Sequence, residues 1–366
     1  MQLLNIIQCT NLGGMEQASL RLMRAMMPLG IRSEVISLHP IGGLGALMRD
    51  LGIPHQGLNY WGPAGVGVIA PLVTRLKSSR GSRVVMTGPH LAAMIAMKLA
   101  GVRGSFLAVH FHHTGVKLPS VWRLLYRIAL DRFQWVTFPS NFVRNEALEL
   151  CPSLEKRSFV IRLPLDPCPL VTEEGRMVSR KMLGLSERDF VVGNAGWLIP
   201  RKRFDVFLRV AAEVAARKPG AVFLIAGGGE DEQSLRNLAV ELGIAGKIRW
   251  LGWLADLTNF QNSLDVLLFN ADWDALPVTP QEMVAHGVPI VASLSNGGLR
   301  EVFDATLARR ILPTHDVAAL ADQILAIHHN PALARQQAMA SRRHFLNMSN
   351  PDAIAQAHLD LLNSSS

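Results

Sequence analysis

Two acidic residues near the end of the chain offer the clearest candidate chemistry. Asp274 lies on the loop after an apolar run, Val266–Phe269, that predicts a buried strand. Glu282 comes eight positions later, in the first turn of a helix that we expect to begin at the N-cap Thr279 and to end at Gly287. Parallel α/β sheets bind ligands at the edge where strands end, and helix N-termini attract anions there. The spacing therefore predicts a ligand site.

A structural explanation of the same residues stays open. The order Thr279, Pro280, Gln281, Glu282 fits a capping box, in which the glutamate bonds back to the N–H of the N-cap residue. Asp274 would then be an ordinary loop acid. The spacing alone does not choose between the two.

Three consecutive cations, Arg201-Lys202-Arg203, follow the predicted strand Phe190–Gly193 and precede the predicted helix Phe204–Arg217. Cations at the same sheet edge as the two acids suit a diphosphate group. No Walker A loop is present, so side chains and helix ends would hold the phosphates. The alternative is a solvated basic turn.

His110 closes the predicted strand Ser105–His110 and opens the cluster His110-Phe111-His112-His113. Three histidines in four residues cannot all face one ion from a strand end, and no acid or cysteine lies beside them, so we expect no metal site. A histidine at the carboxyl end of a strand is well placed to bind substrate or transfer a proton. The alternative is a loop that covers the edge of a cleft.

The elements that position these residues alternate as strand and helix in both halves of the chain, which predicts two doubly wound parallel sheets. A length of 366 residues suits about two domains, and an apolar fraction of 49% suffices for two cores. The proline-rich stretch Pro164–Val178 is the predicted connection, followed by a short helix at 179–184. No G-x-G-x-x-G opens a helix after the first strand of either half, which disfavours a dinucleotide cofactor.

The charge is uneven along the chain. Residues 1–170 carry a net charge of +10 and residues 171–366 one of −2. A basic first half predicts an anionic partner such as a phospholipid surface or a polyanionic acceptor, whereas the scattered cations and two tyrosines argue against nucleic acid. No transmembrane span or signal peptide is expected, and three unpatterned cysteines fit a reducing cytoplasm.

Taken together, these residues resemble a known family: the retaining glycosyltransferases of the GT-B type, specifically family four, the bacterial cell-surface polysaccharide and lipopolysaccharide type. The resemblance spans nearly the whole chain. The family's two acids and the positions after them are matched by Asp274, Pro277, Glu282, Met283, Gly287, Pro289, Val291, Gly297, Gly298 and Glu301. Its other motifs are matched by Gly13, Gly14, Glu16, His110, Ser140-Asn141-Phe142-Val143, Gly196, Leu198, Lys202, Asp205, Gly227, Gly229, Leu251 and Gly252.

The resemblance implies a fold and a domain plan. Two Rossmann-like doubly wound domains would face each other across a cleft, with a C-terminal helix returning to the first. Residues 1–167 with helix 346–366 would form the acceptor-binding domain, and residues 168–345 the domain that binds the nucleotide-sugar donor. The enzyme would transfer a hexose to a glycan or lipid-linked acceptor without a metal or other cofactor. It would be cytoplasmic, with an anionic membrane surface at the inner face of the cytoplasmic membrane as a candidate partner.

The resemblance also implies roles for particular residues. Asp274 and His110 would be catalytic, and Glu282 would bind the ribose. The donor diphosphate would contact Lys202, Arg201 and Gly14; backbone contacts to sugar and phosphate would come from Gly13, Leu276, Pro277, Val278 and Thr279; and the nucleotide base would lie near Gly196, Trp197, Gly252 and Trp253.

Several positions depart from the family's pattern. Asp274 is shorter than the usual glutamate, Trp197 replaces the arginine of the phosphate loop, and Arg203 replaces its glycine. These departures keep two alternatives open: a catalytically degenerate GT-B paralogue that acts as a binding or partner subunit, and a GT-B sugar-nucleotide epimerase. The sugar, the base and the acceptor are not indicated by the sequence.

Overall fold

The structure is a computed structural model that describes residues 1–58, 60, 65–79, 81–110, 113, 118–165, 168–254 and 256–364, with the backbone alone at 295. The chain divides into two compact units, Met1–Asp166 with Ser349–Ser366, and Pro167–Met348. These boundaries lie one residue before and three residues after the expected ones. Within the described residues, no helix is long and apolar enough to cross a membrane.

The first unit is built on a parallel sheet of seven strands in the order β3-β2-β1-β4-β5-β6-β7. The order in which strands are added to the sheet reverses between β1 and β4, which is the topological switch point of a doubly wound fold. The strands are β1 (Gln2–Ile7), β2 (Arg32–Ser37), β3 (His55–Gly57), β4 (Arg83–Thr87), β5 (Gly104–Ala108), β6 (Phe133–Phe138) and β7 (Ser158–Val160).

Within the described residues of this unit, six α-helices lie between the strands, and one comes from the end of the chain. The six are α1 (Gly14–Met26), α2 (Leu44–Asp50), α3 (Ile69–Ser78), α4 (Leu91–Leu99), α5 (Pro119–Arg132) and α6 (Asn141–Leu150). The N-cap Ser140 begins α6 as predicted, because its side chain accepts a bond from the Val143 N–H at 3.2 Å.

The second unit holds a parallel sheet of six strands in the order β10-β9-β8-β11-β12-β13, with its switch point between β8 and β11. The strands are β8 (Phe190–Ala195), β9 (Ala221–Ala226), β10 (Ile248–Gly252), β11 (Val266–Asp274), β12 (Ile290–Gly297) and β13 (Ile311–Leu312). The helices are α7 (Glu173–Met182), α8 (Phe204–Arg217), α9 (Glu232–Glu241), α10 (Thr258–Ser263), α11 (Val278–His286), α12 (Ala305–Ala308), α13 (Val317–His329) and α14 (Pro331–Met348). Helix α15 (Pro351–Asn363) belongs to the first unit and packs on α1.

Two predicted boundaries near the acidic pair are wrong. Strand β11 continues through Asp274 instead of ending at Phe269, because its last residues pair with β12 and place Asp274 opposite Gly297. Helix α11 begins at Val278 after the N-cap Pro277, so Thr279 is not the N-cap and no capping box forms. The predicted end at Gly287 is correct, with φ at 80°.

The connection between the units is shorter than predicted. Helix α7 begins at Glu173 rather than 179, because the Thr172 side chain caps it by accepting from the Gly175 N–H at 3.0 Å. Arg180 then anchors the helix through a 2.8 Å bond to Asp265, the residue before β11. The polar run that suggests a linker is therefore the first half of a packed helix.

Candidate functional site

A partly buried ion pair lies at the switch point of the second sheet. The Lys202 Nζ donates to Asp274 Oδ2 at 2.6 Å, and the two side chains are only 13% and 15% exposed. Lys202 is placed by the 3-10 turn Pro200–Lys202 after β8, and Asp274 by the end of β11. Burial raises the pKa of Asp274, but the Lys202 ammonium and the Arg201 guanidinium outweigh it and hold the pKa below its usual value. The carboxylate is therefore ionised at neutral pH.

Arg201 approaches the same carboxylate from farther away. Its Nη1 lies 3.4 Å from Asp274 Oδ2 and 3.4 Å from the Trp273 carbonyl oxygen, while its guanidinium lies 4.6 Å from the centroid of the Trp273 ring. The side chain remains 30% exposed. Two cations thus converge on one acid.

Arg203 fixes the turn that carries these cations. Its guanidinium binds both Asp205 oxygens at 2.9 Å and Asp272 Oδ1 at 3.0 Å, and these partners raise the pKa of Arg203. Arg203 has φ of 47° and is the one positive-φ residue other than glycine in the described chain. Such a backbone costs roughly 1–2 kcal/mol outside glycine. The ion pairs hold the turn in this conformation and tie it to β11.

A second set of polar side chains extends from Asp272 into the sheet. The ring of His315 joins Asp272 Oδ1 at 2.9 Å to Ser293 Oγ at 2.6 Å, and Ser293 also accepts from Asn270 Nδ2 at 2.8 Å. Sequence reasoning missed this network. Asn270 and Ser293 fall inside apolar strands, where polar residues are a usable signal, but nothing near His315 indicates a partner more than forty residues away in the chain.

The N-terminus of α11 lies directly after the acid. Pro277 is the N-cap, with extended backbone, and its carbonyl accepts from Gln281 Nε2 at 2.8 Å. Leu276 is 4% exposed, so Val278 and Thr279 present their helix-start N–H groups from a well-packed turn. Glu282 is half-buried in the second turn of this helix.

The predicted base region consists of two exposed tryptophans in contact. The rings of Trp197 and Trp253 have centroids 4.5 Å apart and are tilted by 43°, and the residues remain 46% and 43% exposed. Trp197 follows Gly196 after β8, and Trp253 follows Gly252 at the end of β10. Large aromatic rings left open to solvent in this way form a surface for stacking.

Close backbone contacts hold the loops that carry the tryptophans. The N–H of Gly196 donates to the Ala226 carbonyl at 2.9 Å, and that of Gly227 to the Gly252 carbonyl at 2.8 Å. A Cβ atom at Gly227 would lie 1.8 Å from the Gly196 oxygen, and one at Gly229 2.3 Å from the Leu198 oxygen. Only glycine fits at these two positions, so the three loops form one layer.

The corresponding edge of the first unit carries a neutral histidine. His110 lies two residues beyond β5, and its Nδ1 is buried with no hydrogen-bond partner in the described part of the chain. Burial, together with the nearby His358 of α15, lowers the pKa of His110 to about 4. Burial also lowers the pKa of His358 to about 4, and its Nδ1 bonds to the Ile354 carbonyl at 2.9 Å. Both rings are neutral at physiological pH.

The Gly13-Gly14 turn begins α1 at the switch point of the first sheet. Gly13 is the N-cap, and a Cβ there would lie 2.3 Å from Glu16 Oε2. Glu16 also accepts from the Cys9 thiol at 3.2 Å. The loop after His110 is described only at His113; Phe111, His112, Thr114 and Gly115 lie outside the described residues. In the described residues, no group of three or more histidine, cysteine or acidic side chains is arranged to hold a metal ion.

Residues 176–344, which include all of the charged site, match the family model described as Glycosyl transferases group 1. The match lies within the second unit. The chain is 32% identical over 180 residues to D-inositol 3-phosphate glycosyltransferase of Saccharomonospora viridis, covering 46% of this chain and 42% of that protein. It is 28% identical over 193 residues to the lipopolysaccharide core biosynthesis glycosyltransferase LpsE of Rhizobium meliloti, covering 52% and 55%. The chain thus matches about half the length of these curated relatives.

A solved structure matches the whole chain. Anabaena Alr3699/HepE in complex with UDP and glucose has a TM-score of 0.85 and 19% identity, with all of both chains covered. This likeness confirms the predicted GT-B fold class.

The second unit brings together most of the residues predicted from the sequence. Lys202, Arg201 and Asp274 are in direct contact, and the helix start at Pro277 follows immediately. Trp197 and Trp253 form a separate surface on the loops after β8 and β10. Gly13, Gly14 and His110 belong to the other unit. The roles assigned to all these residues stay predictions.

Proposed function

We propose that the chain is a retaining glycosyltransferase that moves a sugar from a nucleotide diphosphate sugar to a glycan or lipid-linked acceptor, without a metal. The observation that carries this proposal is the contact of Lys202 and Arg201 with Asp274 at the switch point of a group 1 glycosyl transferase domain. The two cations neutralise a diphosphate, and the adjoining carboxylate accepts hydrogen bonds from sugar hydroxyls. One named relative, the lipopolysaccharide core biosynthesis glycosyltransferase LpsE, supports the class of acceptor.

The ion pair sets the order of events at the site. Without donor, Asp274 neutralises Lys202 at 2.6 Å. An arriving diphosphate competes for the ammonium, because phosphate oxygens offer it stronger and more numerous partners. Asp274 is then released to bind the sugar. Donor binding thus converts an internal ion pair into two contacts with the substrate.

The chemical step separates charge in a way that these residues stabilise. The bond from the anomeric carbon to the β-phosphate oxygen breaks, and the acceptor oxygen bonds to the same face of that carbon through an oxocarbenium-like state. The acceptor proton passes to the departing phosphate oxygen. Lys202 and Arg201 stabilise the negative charge of the nucleoside diphosphate that leaves, while the Asp274 carboxylate stabilises the positive sugar ring.

The other predicted contacts have distinct duties in this proposal. Glu282 accepts bonds from the ribose hydroxyls, and the N–H groups at the start of α11 contact phosphate or sugar. The exposed pair Trp197 and Trp253 stacks the base; the UDP bound by the Anabaena protein supports a nucleotide ligand. His110, a neutral imidazole, binds a sugar hydroxyl as donor or acceptor.

Release of nucleoside diphosphate from a panel of nucleotide sugars tests this function. The wild-type chain should hydrolyse its donor slowly without acceptor. Asp274→Asn should lower this rate at least a hundredfold, as loss of a charge-stabilising group does in other enzymes, while Asp274→Glu retains it. The matched control is Asp322→Asn, which alters an exposed acid of α13 that pairs with Arg217 of α8. A chain that binds nucleotide yet releases nothing with any donor would instead be a degenerate binding subunit.

We also propose that the first unit docks on an anionic membrane through the outer face of α4 and α5. Leu91, Ile95 and Leu99 of α4 are exposed along one side of that helix. On and beside α5, Leu118 is 71% and Leu124 52% exposed. The flanking cations are Lys98, Arg123 and Arg127. Apolar side chains with interleaved cations are typical of surfaces that bind acidic lipid headgroups.

Sedimentation with phosphatidylglycerol vesicles at low salt tests the membrane surface. The double variant Leu118→Ser/Leu124→Ser should lose most of its binding, whereas Leu333→Ser, which alters a 45% exposed leucine of the second unit, should not. Wild-type protein that ignores the vesicles would disprove this docking. Donor hydrolysis by the same variants should be unchanged, so the two proposals are tested separately.

A further inference from the structure

The first unit has a polar cavity at the edge of its sheet opposite His110. Strands β4, β5 and β6 begin at Arg83, Gly104 and Phe133, and these residues line a cavity of about 490 Å³. That volume lies within the range of small-molecule sites. Strand β5 has five residues, so about 17 Å of strand separates the cavity from its carboxyl end. The cavity is therefore distinct from the predicted acceptor-side residues.

Three arginines, Arg83, Arg103 and Arg157, line this cavity. Arg157 is held rigidly, with its Nε bonded to the Gln134 carbonyl at 2.9 Å and its Nη1 to the Leu130 carbonyl at 2.7 Å. These carbonyl partners orient the guanidinium but do not cancel its charge. Burial and the positive charge of Arg103 lower the pKa of Arg157, which indicates that the charges act on one another.

No carboxylate of the described lining compensates these charges. Asp131 also lines the cavity, but its carboxylate pairs with Arg132 at 2.7 Å and is 52% exposed. Within the part of the chain that the structure describes, Arg83 and Arg103 have no side-chain hydrogen bond or ion pair. Three like charges therefore line the cavity, with Arg103 exposed and Arg83 and Arg157 partly buried, an arrangement that an anion would stabilise.

We propose that this cavity binds the phosphate group of a phosphorylated small molecule or of a lipid headgroup. Guanidinium groups match phosphate oxygens with two parallel hydrogen bonds each, and the hydroxyls of Ser82 and Ser105 line the same space. The volume exceeds that of a bare phosphate ion and leaves room for the remainder of such a molecule. This site is independent of the donor site and of the proposed reaction.

The test is a titration of the full chain with inorganic phosphate. Calorimetry measures the affinity, and the thermal unfolding midpoint measures the gain in stability. Lys202→Gln is introduced first, so that phosphate at the donor site does not contribute. In that background, Arg103→Gln and Arg83→Gln should each weaken phosphate binding roughly tenfold, the effect of one charge-assisted hydrogen bond. Arg32→Gln, which alters an exposed arginine at the amino end of β2, is the matched control.

The unfolding midpoint adds a signature that a merely structural role would not give. Without phosphate, Arg103→Gln should unfold at the same temperature as its parent or higher, because a like charge has been removed. With phosphate, the parent should gain stability and the variant should not. Equal phosphate affinity in the parent and both cavity variants would overturn the proposal.

Vesicles of phosphatidylglycerol and of neutral phosphatidylcholine identify the source of the phosphate. If the cavity variants lose binding to the anionic vesicles while the Arg32→Gln control keeps it, the ligand is a lipid headgroup. If vesicle binding is unchanged while free phosphate binding falls, the ligand is a soluble phosphorylated molecule. Both outcomes support the anion site. Cavity variants that keep both vesicle binding and phosphate binding would contradict it.

Discussion

The carboxyl edges of the two sheets share one topology and differ in chemistry. Each sheet reverses its winding direction at its fourth strand in chain order, and each has a loop and a helix start at that point. In the second unit, this edge holds the ionised cluster of Lys202, Asp274 and Arg203. In the first unit, it holds the Gly13-Gly14 turn with Glu16 and the neutral ring of His110. One scaffold thus presents a cluster of ion pairs in one unit and a neutral histidine in the other.

The difference matches the two kinds of substrate in the proposed reaction. A diphosphate needs fixed cations, whereas a sugar hydroxyl needs a neutral group that donates or accepts one hydrogen bond. The His110 ring is neutral because it is buried beside α15, whereas Lys202 forms an ion pair with Asp274. The two edges therefore differ in whether the titratable side chain has a charged partner.

The largest expected effect concerns the neutral edge. His358 has a pKa of about 4 in the folded chain and about 6.5 when unfolded, so the unfolded state takes up the extra proton. This histidine's contribution to stability is complete above pH 6.5 and is lost as the pH falls towards 4. Between pH 6.5 and pH 4, the free energy of unfolding of His358→Gln should therefore fall by about 3 kcal/mol less than that of the wild-type chain. Denaturant titrations at several pH values measure this difference. If the free energy of unfolding depends on pH in the same way in both proteins, His358 is not a buried neutral histidine.

At the charged edge, Lys202→Gln should weaken binding of nucleoside diphosphate roughly ten- to a hundredfold, because a charge-assisted hydrogen bond is lost. Asp274→Asn should instead preserve or strengthen that binding, since Lys202 is released from its 2.6 Å partner. Calorimetry with both variants checks the competition between carboxylate and phosphate. If both substitutions weaken binding equally, the ion pair is part of the phosphate site and not its competitor.

A smaller effect is expected beside the charged cluster. Trp253→Ala should reduce affinity for nucleoside diphosphate about tenfold, as loss of one aromatic stacking partner does. Affinity for inorganic pyrophosphate should not change, because that ligand lacks a base. Trp253→Phe keeps a ring and serves as the control. An equal loss for both ligands would show that the pair of tryptophans supports the loop rather than the base.

The smallest effect is expected at Arg203. Replacement by glycine relieves the left-handed backbone but removes the ion pairs to Asp205 and Asp272, two contributions of about 1 kcal/mol each that nearly cancel. Arg203→Lys keeps the strain and loses the bidentate contact, so it should be less stable than Arg203→Gly. Thermal unfolding compares them. If the glycine variant is the less stable of the two, the contacts of a cation at this position outweigh the backbone strain.

Local patterns in the sequence were sufficient for most of the fold. The amphipathic spacing of Phe204–Arg217 predicts α8 with its observed bounds, and Gly287 predicts the end of α11. These features depend on residues within a few positions of one another. The arginines and lysine at 201–203 were likewise recognisable because cations follow a strand and precede a helix.

The parts that were missed depend on partners far along the chain. Strand β11 extends to Asp274 because β12 pairs with it, and no local signal reports that pairing. Helix α7 includes residues that resemble a linker, and its Arg180 bonds to Asp265, 85 residues away. His315 joins the site through the same kind of long-range contact. Periodicity cannot predict contacts of this kind.

The origin of α15 has a consequence for the order of events during translation. The core of the first unit joins Leu3 and Phe106 to Ala355 and Leu362 of this last helix. The ribosome completes every strand and helix of the second unit before it makes α15. A growing chain therefore presents an uncovered apolar seam along β1 and β5 throughout that interval, a surface that chaperones recognise. The unit whose synthesis begins first is the one whose folding ends last.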